Sequence, residues 1–370
     1  MEPLLWCLKY QPRKWEDFKG NEAAMPQLRN LASSGTLPNM IFYGPFGTGK
    51  TSAAEVFARE ILGDDFQANF MSLNIRDVRN FPLSKAKRSL STIARMDSEE
   101  RTYLDEYMSR VYSEAKAELK LKGGRRRRPN RSQMLHKAIE MFASTITVSN
   151  RLTKILVLDE ADALDNNMQQ ALRRTMEIYN DACRFILITP SLAGWSPAII
   201  SRCLLLRFPR GNKEAIEDLI GDIAEKEDVI IQEDAIAAIY RESSGDYRRA
   251  INLLQMASSG TRAVTEDDVY ECSETYLSKS VREAITKAID GSFINARKKM
   301  VNLLAREGYE PEEVIVEIHR DLLRRPFPKA QLYQILARVA EIDFRITQAR
   351  NPFIQFSALL GSIQNMASSA

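Results

Sequence analysis

A glycine-rich loop between an apolar run and a helical pattern constrains this chain more than any other feature. Residues 44–51 read GPFGTGKT, which is the spacing G-x-x-x-x-G-K-[ST] of a phosphate-binding loop. The apolar residues 40–43 before it favour a strand, and the alanine-rich residues 52–61 after it favour a helix. Glycines let backbone N–H groups turn inward around an anion, and the positive end of the following helix faces the same point. This context favours a phosphate-binding loop over a glycine-rich turn that matches by chance.

Two polar side chains of the loop have a chemical role in such a site. Lys50 can reach the β- and γ-phosphates of a nucleotide, and Thr51 can offer its hydroxyl to Mg²⁺. The residues that we expect to bind the nucleotide are Gly44, Pro45, Phe46, Gly47, Thr48, Gly49, Lys50 and Thr51.

A pair of acids follows a second apolar run further along the chain. Residues 155–158 read ILVL and lead into Asp159 and Glu160. Such a run favours a buried parallel strand whose C-terminal end carries the carboxylates, which is where α/β sheets hold ligands. The alternative is a plain core strand followed by a helix-capping acid, but P-loop enzymes need a second acid of this kind. We therefore expect Asp159 to orient the Mg²⁺ shell and Glu160 to position or activate the attacking water.

The scarcity of histidine and the scatter of cysteine exclude several kinds of site. The two histidines, His136 and His319, lie far apart in sequence, which argues against a zinc site or histidine-based catalysis. The four cysteines form no C-x-x-C pair and suit a reducing compartment. No apolar run approaches the ~20 residues that cross a bilayer, and the first residues lack the features of a signal peptide. The sequence therefore predicts a cytoplasmic protein with no membrane association.

Strand and helix patterns alternate in the first part of the chain and then give way to helices alone. Short apolar runs separated by helical patterns predict a parallel sheet with helices on both faces. Past residue 208 the strand signals stop. We therefore expect an α/β domain over residues 1–208, a small helical domain over 209–276 and an all-α domain over 277–370.

One segment of the α/β domain interrupts this alternation. Residues 82–131 contain charge-rich helical patterns and end in KGGRRRRPNR. The glycines and the proline around the four arginines predict a loop. Such a run of charge can stay solvated, or it can contact nucleic-acid phosphates and gain from counterion release. The net charge of +3 is too small to indicate nucleic-acid binding by itself.

Several motifs together give the chain a resemblance to a known family. Residues 159–164 read DEADAL, residues 169–177 read QQALRRTME, residues 201–203 read SRC and residues 245–252 read GDYRRAIN. This combination resembles the small subunit of replication factor C, the clamp loader of the AAA+ ATPases in archaea and eukaryotes. The resemblance covers nearly the whole chain outside the interrupting segment. It implies an α/β P-loop AAA+ ATPase domain, a small helical lid and an all-α C-terminal collar that holds subunits in a ring.

The resemblance also implies roles for residues outside the loop. Arg202 would reach in trans into the nucleotide site of a neighbouring subunit, as an arginine finger that stabilises charge on the γ-phosphate. Arg248 would touch the phosphates from the lid, and Tyr10 would lie near the adenine. Arg173 and Arg174 would belong to a helical surface that follows a DNA backbone. Each arginine could instead pair with a carboxylate of its own subunit, cap a helix or lie on a solvated face.

The cofactors and partners are likewise implied by the resemblance. They are ATP with Mg²⁺, the large and small replication factor C subunits of a pentameric-type ring, a sliding clamp of the PCNA type and primer–template DNA. The implied reaction uses ATP binding and hydrolysis to open the clamp and load it onto DNA during replication. The DNA would be recognised through its backbone and shape rather than its base sequence.

Two departures from the family pattern lie close to the expected site. Residues 10–12 read Tyr-Gln-Pro where the family usually has Tyr-Arg-Pro. Pro190 stands where a strand normally ends in an asparagine that polarises the attacking water, and proline has no side-chain amide. A hydroxyl of Thr189 or Ser191 could substitute, provided that it reaches the water.

These departures leave two interpretations open. The chain is either a working ATPase subunit, or a hydrolysis-poor scaffold subunit that binds ATP and supplies Arg202 to a neighbour. A branch-migration helicase or another AAA+ remodeller is disfavoured by the SRC triplet at residues 201–203. The same departures favour a diverged second small subunit over the main one.

Overall fold

The structure is a computed structural model that describes residues 4–87, 103–121, 128–145, 153–259, 263–273, 276–348 and 351–368. The chain divides into two compact units, Met1–Glu266 and Asp267–Ala370. Arg125, Arg126 and Arg127 of the predicted basic loop lie outside the described residues.

A parallel sheet of five strands organises the first unit. Its spatial order among the described residues is β2-β3-β4-β1-β5, and every neighbouring pair is parallel. The predicted α/β fold with a parallel sheet is therefore confirmed. The strands are β1 (Met40–Tyr43), β2 (Phe70–Asn74), β3 (Lys154–Asp159), β4 (Cys183–Thr189) and β5 (Leu204–Arg207).

The middle residues of β1, β3 and β4 are apolar and buried, because helices cover both faces of the sheet. Along β3, Leu156 and Leu158 belong to one buried cluster, whereas Ile155 and Val157 belong to another on the opposite face. This is the two-residue alternation of a strand with both sides buried. The helices of the first unit are α1 (Trp6–Lys9), α2 (Ala24–Ser34), α3 (Lys50–Leu62), α4 (Phe66–Asn69), α5 (Ile75–Asn80), α6 (Leu83–Ala86), α7 (Tyr103–Leu121), α8 (Arg131–Ser144), α9 (Asn166–Ile178), α10 (Pro197–Ile200), α11 (Lys213–Lys226), α12 (Glu233–Ser243) and α13 (Tyr247–Ser258).

The strand register aligns the ends of the strands at one edge of the sheet. Tyr43, the last residue of β1, pairs with Thr189 at the end of β4. Asn74, the last residue of β2, pairs with Asp159 at the end of β3. The residues that follow these strands therefore meet at one edge, although they are distant in sequence.

The described part of the interrupting segment contains the helices α6 and α7, and α7 packs against α8, the helix that begins at the last residue of the segment. Tyr107 and Met108 of α7 are buried in the same cluster as Leu135 and Ala138 of α8. Helix α8 begins after Asn130, whose side chain accepts a hydrogen bond from the N–H of Gln133. Such an N-cap satisfies a backbone donor at the start of the helix.

Two two-residue strands lie beyond residue 208, where the sequence shows no strand signal. They are β6 (Ile230–Ile231) and β7 (Ala263–Val264), and they pair in parallel. The expectation that strands stop at residue 208 is therefore wrong in this detail. Two residues are too few to show any periodicity, which explains why the pair could not be predicted.

The second unit is built from helices around its own core. Its buried cluster includes Val281, Met300, Ile318, Ile342 and Leu359. Among the residues placed by the structure, none of the helices combines the length and the apolar character that a membrane crossing requires. After α14 (Glu266–Ser273), the helices are α15 (Tyr276–Ile289), α16 (Phe293–Ala305), α17 (Pro311–Arg324), α18 (Lys329–Ile346) and α19 (Pro352–Ser368).

Candidate nucleotide-binding site

The glycine-rich loop joins the end of β1 to the start of α3, as predicted, and two of its glycines have no room for a side chain. Gly44 has φ +146°, and a Cβ there would lie 1.9 Å from the carbonyl oxygen of Phe208. Gly47 has φ +70°, and a Cβ there would lie 1.9 Å from Oδ1 of Asp246. The loop therefore needs glycine both for its backbone angles and for the close approach of neighbouring residues.

Lys50 is the first residue of α3 and is buried against the loop. Its Nζ donates hydrogen bonds to the carbonyl of Gly44 at 2.7 Å, to the carbonyl of Pro45 and to Oγ1 of Thr48 at 3.3 Å. Burial lowers the pKa of Lys50 to about 8, against the raising effect of the Asp159 charge. The ammonium group therefore lies in the middle of the loop, close to a carboxylate.

A direct hydrogen bond joins the loop to the acid at the end of β3. Thr51 Oγ1 donates to Asp159 Oδ2 at 2.8 Å. Thr51 is the second residue of α3, which follows β1 and the loop, and Asp159 ends β3; β1 and β3 flank β4 in the sheet. A hydroxyl beside a carboxylate is an oxygen set that fits Mg²⁺, because this ion keeps most of its remaining ligands as water and phosphate oxygens. A cavity beside this pair is lined by residues 46–52, Asp159, Glu160, Ile188, Thr189, Pro190 and Arg248.

Glu160 has an unusual backbone and an unpredicted ionic partner. Its φ of 50° and ψ of 42° lie in the left-handed region, which is strained for a residue with a side chain. Its Oε2 lies 3.1 Å from Nε of Arg76, and NH2 of Arg76 lies 2.8 Å from Oδ2 of Asp162. Arg76 is the second residue of α5, the helix that begins directly after β2. Sequence reasoning missed Arg76, since its nearness to Glu160 depends on β2 lying beside β3.

The start of helix α13 lies directly on the glycine-rich loop. The backbone N–H of Tyr247 donates to the carbonyl of Gly47 at 3.1 Å. Asp246, whose Oδ1 caps the helix by accepting from the N–H of Arg249 at 2.9 Å, is the residue that leaves no space beside Gly47. Arg248 lines the cavity and lowers the pKa of Lys50. The structure therefore brings Arg248 close to the loop residues.

A second cavity adjoins the first and is shaped by the N-terminal arm. Gln11 Nε2 donates to Ser52 Oγ at 3.3 Å, and Asn21 Nδ2 donates to the carbonyl of Thr48 at 3.1 Å. Asn21 is buried, and its Oδ1 has no hydrogen-bond partner among the described residues. The lining residues are Cys7, Leu8, Tyr10, Gln11, Pro12, Asp17, Phe18, Lys19, Asn21, Gly47, Thr48, Gly49, Ser52, Leu219, Tyr247, Arg248 and Ile251.

Tyr10 lines this second cavity, but its hydroxyl is used elsewhere. Tyr10 Oη donates to Oε1 of Glu227 at 2.5 Å, and Lys9 Nζ lies 2.9 Å from the same oxygen. Burial and the carboxylate of Glu227 raise the pKa of Tyr10 to about 12. The ring therefore borders the cavity while the hydroxyl ties the arm to the residue that follows α11.

The hydroxyls next to Pro190 are occupied by local hydrogen bonds. Thr189 Oγ1 donates to the carbonyl of Ser191 at 2.8 Å and accepts from Trp195 Nε1 at 3.3 Å. Ser191 Oγ accepts from the N–H of Ala193 at 3.0 Å. Thr189 uses its hydroxyl as donor and acceptor within the turn after β4, whereas the exposed Ser191 hydroxyl accepts one hydrogen bond there.

Arg202 lies on the surface and pairs with a carboxylate of its own chain. Its NH2 lies 2.8 Å from Oε1 of Glu177, and its NH1 donates to the carbonyl of Ala198 at 2.7 Å. Arg202 is not among the residues that line the two cavities described above. The pairing is the alternative that the sequence left open for this arginine. Arg173 and Arg174 are both exposed on α9.

Comparison with known proteins identifies the family. Residues 40–210 match the ATPase family associated with various cellular activities (AAA), and residues 277–362 match the replication factor C C-terminal domain. The replication factor C small subunit of Archaeoglobus fulgidus is 30% identical over 363 residues, covering 98% of each chain. The replication factor C small subunit 2 of Pyrobaculum aerophilum is 31% identical over 369 residues, covering 100% of each. A structure of the Aeropyrum pernix Orc1 protein in complex with DNA aligns with 18% identity and a TM-score of 0.49, covering 98% of this chain and 87% of that one. The chain therefore belongs to the replication factor C small-subunit family of clamp-loader AAA ATPases.

Proposed function

We propose that this chain binds ATP with Mg²⁺ at the glycine-rich loop and hydrolyses it as a subunit of a clamp loader. The observation that carries the proposal is the 2.8 Å hydrogen bond between Thr51 and Asp159, since it joins the loop to the acid expected to share a metal ion with it. Thr51 and Asp159 would hold Mg²⁺, which would neutralise phosphate charge when bound. Residues 44–49 would cradle the phosphates with their backbone N–H groups.

Three further side chains would act on the phosphates and the attacking water. Lys50 would turn from the loop carbonyls toward the β- and γ-phosphates, whose negative charge favours its protonated form. Glu160 would position the water, and Arg248 would contact the phosphates from the lid side. Tyr10 would border the nucleoside, in the second cavity, with its ring rather than its hydroxyl.

The same proposal assigns partners to other parts of the chain. Arg202 would complete the nucleotide site of a neighbouring subunit in a pentameric-type ring of replication factor C subunits. The loader would open a sliding clamp of the PCNA type and place it on primer–template DNA. Arg173 and Arg174 would face the DNA backbone, where cations gain affinity by counterion release. We also propose residues 1–208 as the ATPase domain, 209–276 as the lid and 277–370 as the collar.

The proposal is tested with the complete complex of this chain and its co-expressed partner subunits. ATP turnover is measured with clamp and primer–template DNA for wild type and for Lys50→Ala. Loss of the lysine should reduce the turnover that depends on this site by orders of magnitude. Lys213→Ala is the matched control, because Lys213 is exposed and pairs only with Glu217 at 3.5 Å among its described ionic contacts. Equal rates for wild type and Lys50→Ala would reject this chain as a hydrolysing subunit.

A second candidate function is a scaffold subunit that binds ATP but hydrolyses it slowly. The observation that favours it is the presence of Pro190 in the lining of the first cavity, beside a Thr189 hydroxyl that is engaged as donor and acceptor within the turn after β4. Such a subunit would still donate Arg202 to its neighbour. In that case Lys50→Ala would leave total turnover almost unchanged, whereas Arg202→Ala would reduce it.

A further inference from the structure

Glu177 carries the carboxylate nearest to the proposed finger arginine. Its Oε1 lies 2.8 Å from NH2 of Arg202 and 3.7 Å from Nε of Arg173. Arg173 lies one turn earlier on the same helix, whereas Arg202 follows the separate short helix α10. One carboxylate oxygen therefore contacts two arginines for which the proposed function gives different partners, a nucleotide and DNA.

The position of Glu177 on its helix is unfavourable for a carboxylate in isolation. It is the second-last residue of α9, where the helix dipole presents its negative end. A carboxylate at this place is stabilised by nearby cations, and Arg173 and Arg202 supply them. The carboxylate and both guanidinium groups therefore stabilise one another at the end of the helix.

The guanidinium of Arg202 is held by contacts within its own chain. NH2 faces Glu177, and NH1 donates to the carbonyl of Ala198 at 2.7 Å. The side chain nevertheless remains 41% exposed, so part of the guanidinium faces away from both contacts. A free arginine samples many rotamers, and fixing it in advance reduces the entropy that is lost when it meets a phosphate.

We propose that Glu177 is a positioning residue for Arg202, holding the finger ready for the nucleotide of the neighbouring subunit. The proposal rests on the trans role of Arg202 given above. Glu177 itself does not touch the nucleotide. Because this one carboxylate faces both Arg173 and Arg202, the cluster keeps a net positive charge that can attract the γ-phosphate.

The solvent exposure of Glu177 and Arg202 distinguishes a positioning role for Glu177 from a role in stabilising the fold. Both side chains are 41% exposed, and ion pairs with such exposure contribute little to folding stability. Removing the carboxylate should therefore leave the fold and the assembly intact. The change should appear in kcat, because a finger that is mobile in the ground state is worse placed in the transition state.

The test measures ATP turnover by the complete complex. The part of this turnover that Arg202→Ala abolishes is the finger-dependent turnover. Glu177→Ala should lower this part about tenfold in kcat, with KM for ATP and the melting temperature unchanged. Glu177→Gln should restore most of it, because the amide oxygen can still accept from NH2. Glu177→Ala added to Arg202→Ala should cause no further loss. Glu217→Ala removes a partly exposed glutamate of helix α11; it is the control and should match wild type.

The outcomes that overturn the proposal are distinct from those that overturn the trans role. If Arg202→Ala impairs turnover while Glu177→Ala equals or exceeds wild type, the positioning role is rejected and the trans role stands. If Glu177→Ala lowers turnover further in the Arg202→Ala background, Glu177 acts elsewhere and the positioning role is also rejected. If Arg202→Ala itself has no effect, the trans role fails and the positioning role fails with it.

Discussion

The guanidinium of Arg76 lies 3.1 Å from the carboxylate of Glu160, between Nε and Oε2. Glu160 is the acid proposed to position the attacking water, and the ion pair occupies an oxygen of the carboxylate that would otherwise be free to contact that water. Arg76 also contacts Asp162 at 2.8 Å, so its guanidinium is held over the end of β3 by two acids. The pair is therefore expected to restrain hydrolysis.

Arg76→Ala should raise the turnover of the complex measured without DNA. The pair is half-exposed, so we expect an increase of about two- to fivefold, in line with the small energy of such pairs. Arg79→Ala is the matched control, because Arg79 lies on the same helix and donates to the carbonyl of Ala163 instead. A decrease in turnover for Arg76→Ala, with the control unchanged, would show that Arg76 supports Glu160 rather than restraining it.

The lowered pKa of Lys50 predicts that nucleotide affinity falls with rising pH. Burial sets the pKa of the free site to about 8, and bound phosphates raise it because they favour the charged form. Above pH 8 binding must therefore take up a proton, and Kd should increase up to tenfold per pH unit until the pKa of the complex is reached. We expect affinity at pH 9 to be about tenfold lower than at pH 7.

The measurement is calorimetric titration with a non-hydrolysable ATP analogue at constant Mg²⁺. Repeating it in buffers of different ionisation enthalpy should reveal the proton uptake directly. Lys50→Met should bind weakly at every pH and show no inflection near pH 8. A flat wild-type profile from pH 7 to pH 9 would contradict the assignment of this titration to Lys50.

The strongest local patterns of the sequence led to correct statements about the fold. The spacing of residues 44–51 and the apolar run before Asp159 predicted a strand–loop–helix and a buried strand, because both signals lie within a few consecutive residues. The family and its parallel sheet are likewise confirmed. The functional roles of Lys50, Thr51, Asp159, Glu160, Arg202 and Arg248 stay predictions.

The contacts that sequence reasoning missed all depend on distant parts of the chain. Arg76 meets Glu160 because β2 is the neighbour of β3, and no local pattern reveals the order of strands in a sheet. Asp246 fills the space beside Gly47 although about two hundred positions separate them, which only tertiary packing determines. A charged residue two positions after a strand was the available signal for Arg76.

Pro190→Asn should increase turnover if the missing amide limits hydrolysis at this site. The cavity lining includes position 190, so an amide placed there lies near the proposed water. A single polarising hydrogen bond contributes on the order of 10²-fold where it acts in the transition state. Pro190→Ala is the control, since it removes the ring without adding an amide. Equal rates for the two variants would show that the amide does not limit turnover and would weaken the case for a scaffold subunit.

Gly47→Ala should weaken nucleotide binding by displacing helix α13 from the glycine-rich loop. The new Cβ would lie 1.9 Å from Oδ1 of Asp246, and the φ of +70° already disfavours any side chain. Gly35→Ala is a matched control, because Gly35 has φ +68° in the left-handed region and nothing within 4 Å of an added Cβ. Backbone strain alone should cost about 1–2 kcal/mol of stability in both variants. Only Gly47→Ala should also lose affinity for ATP, on the order of tenfold or more, because the clash moves Arg248 and the N–H of Tyr247 away from the loop. Equal affinities for the two variants would show that contact between α13 and the loop is not needed to bind the nucleotide.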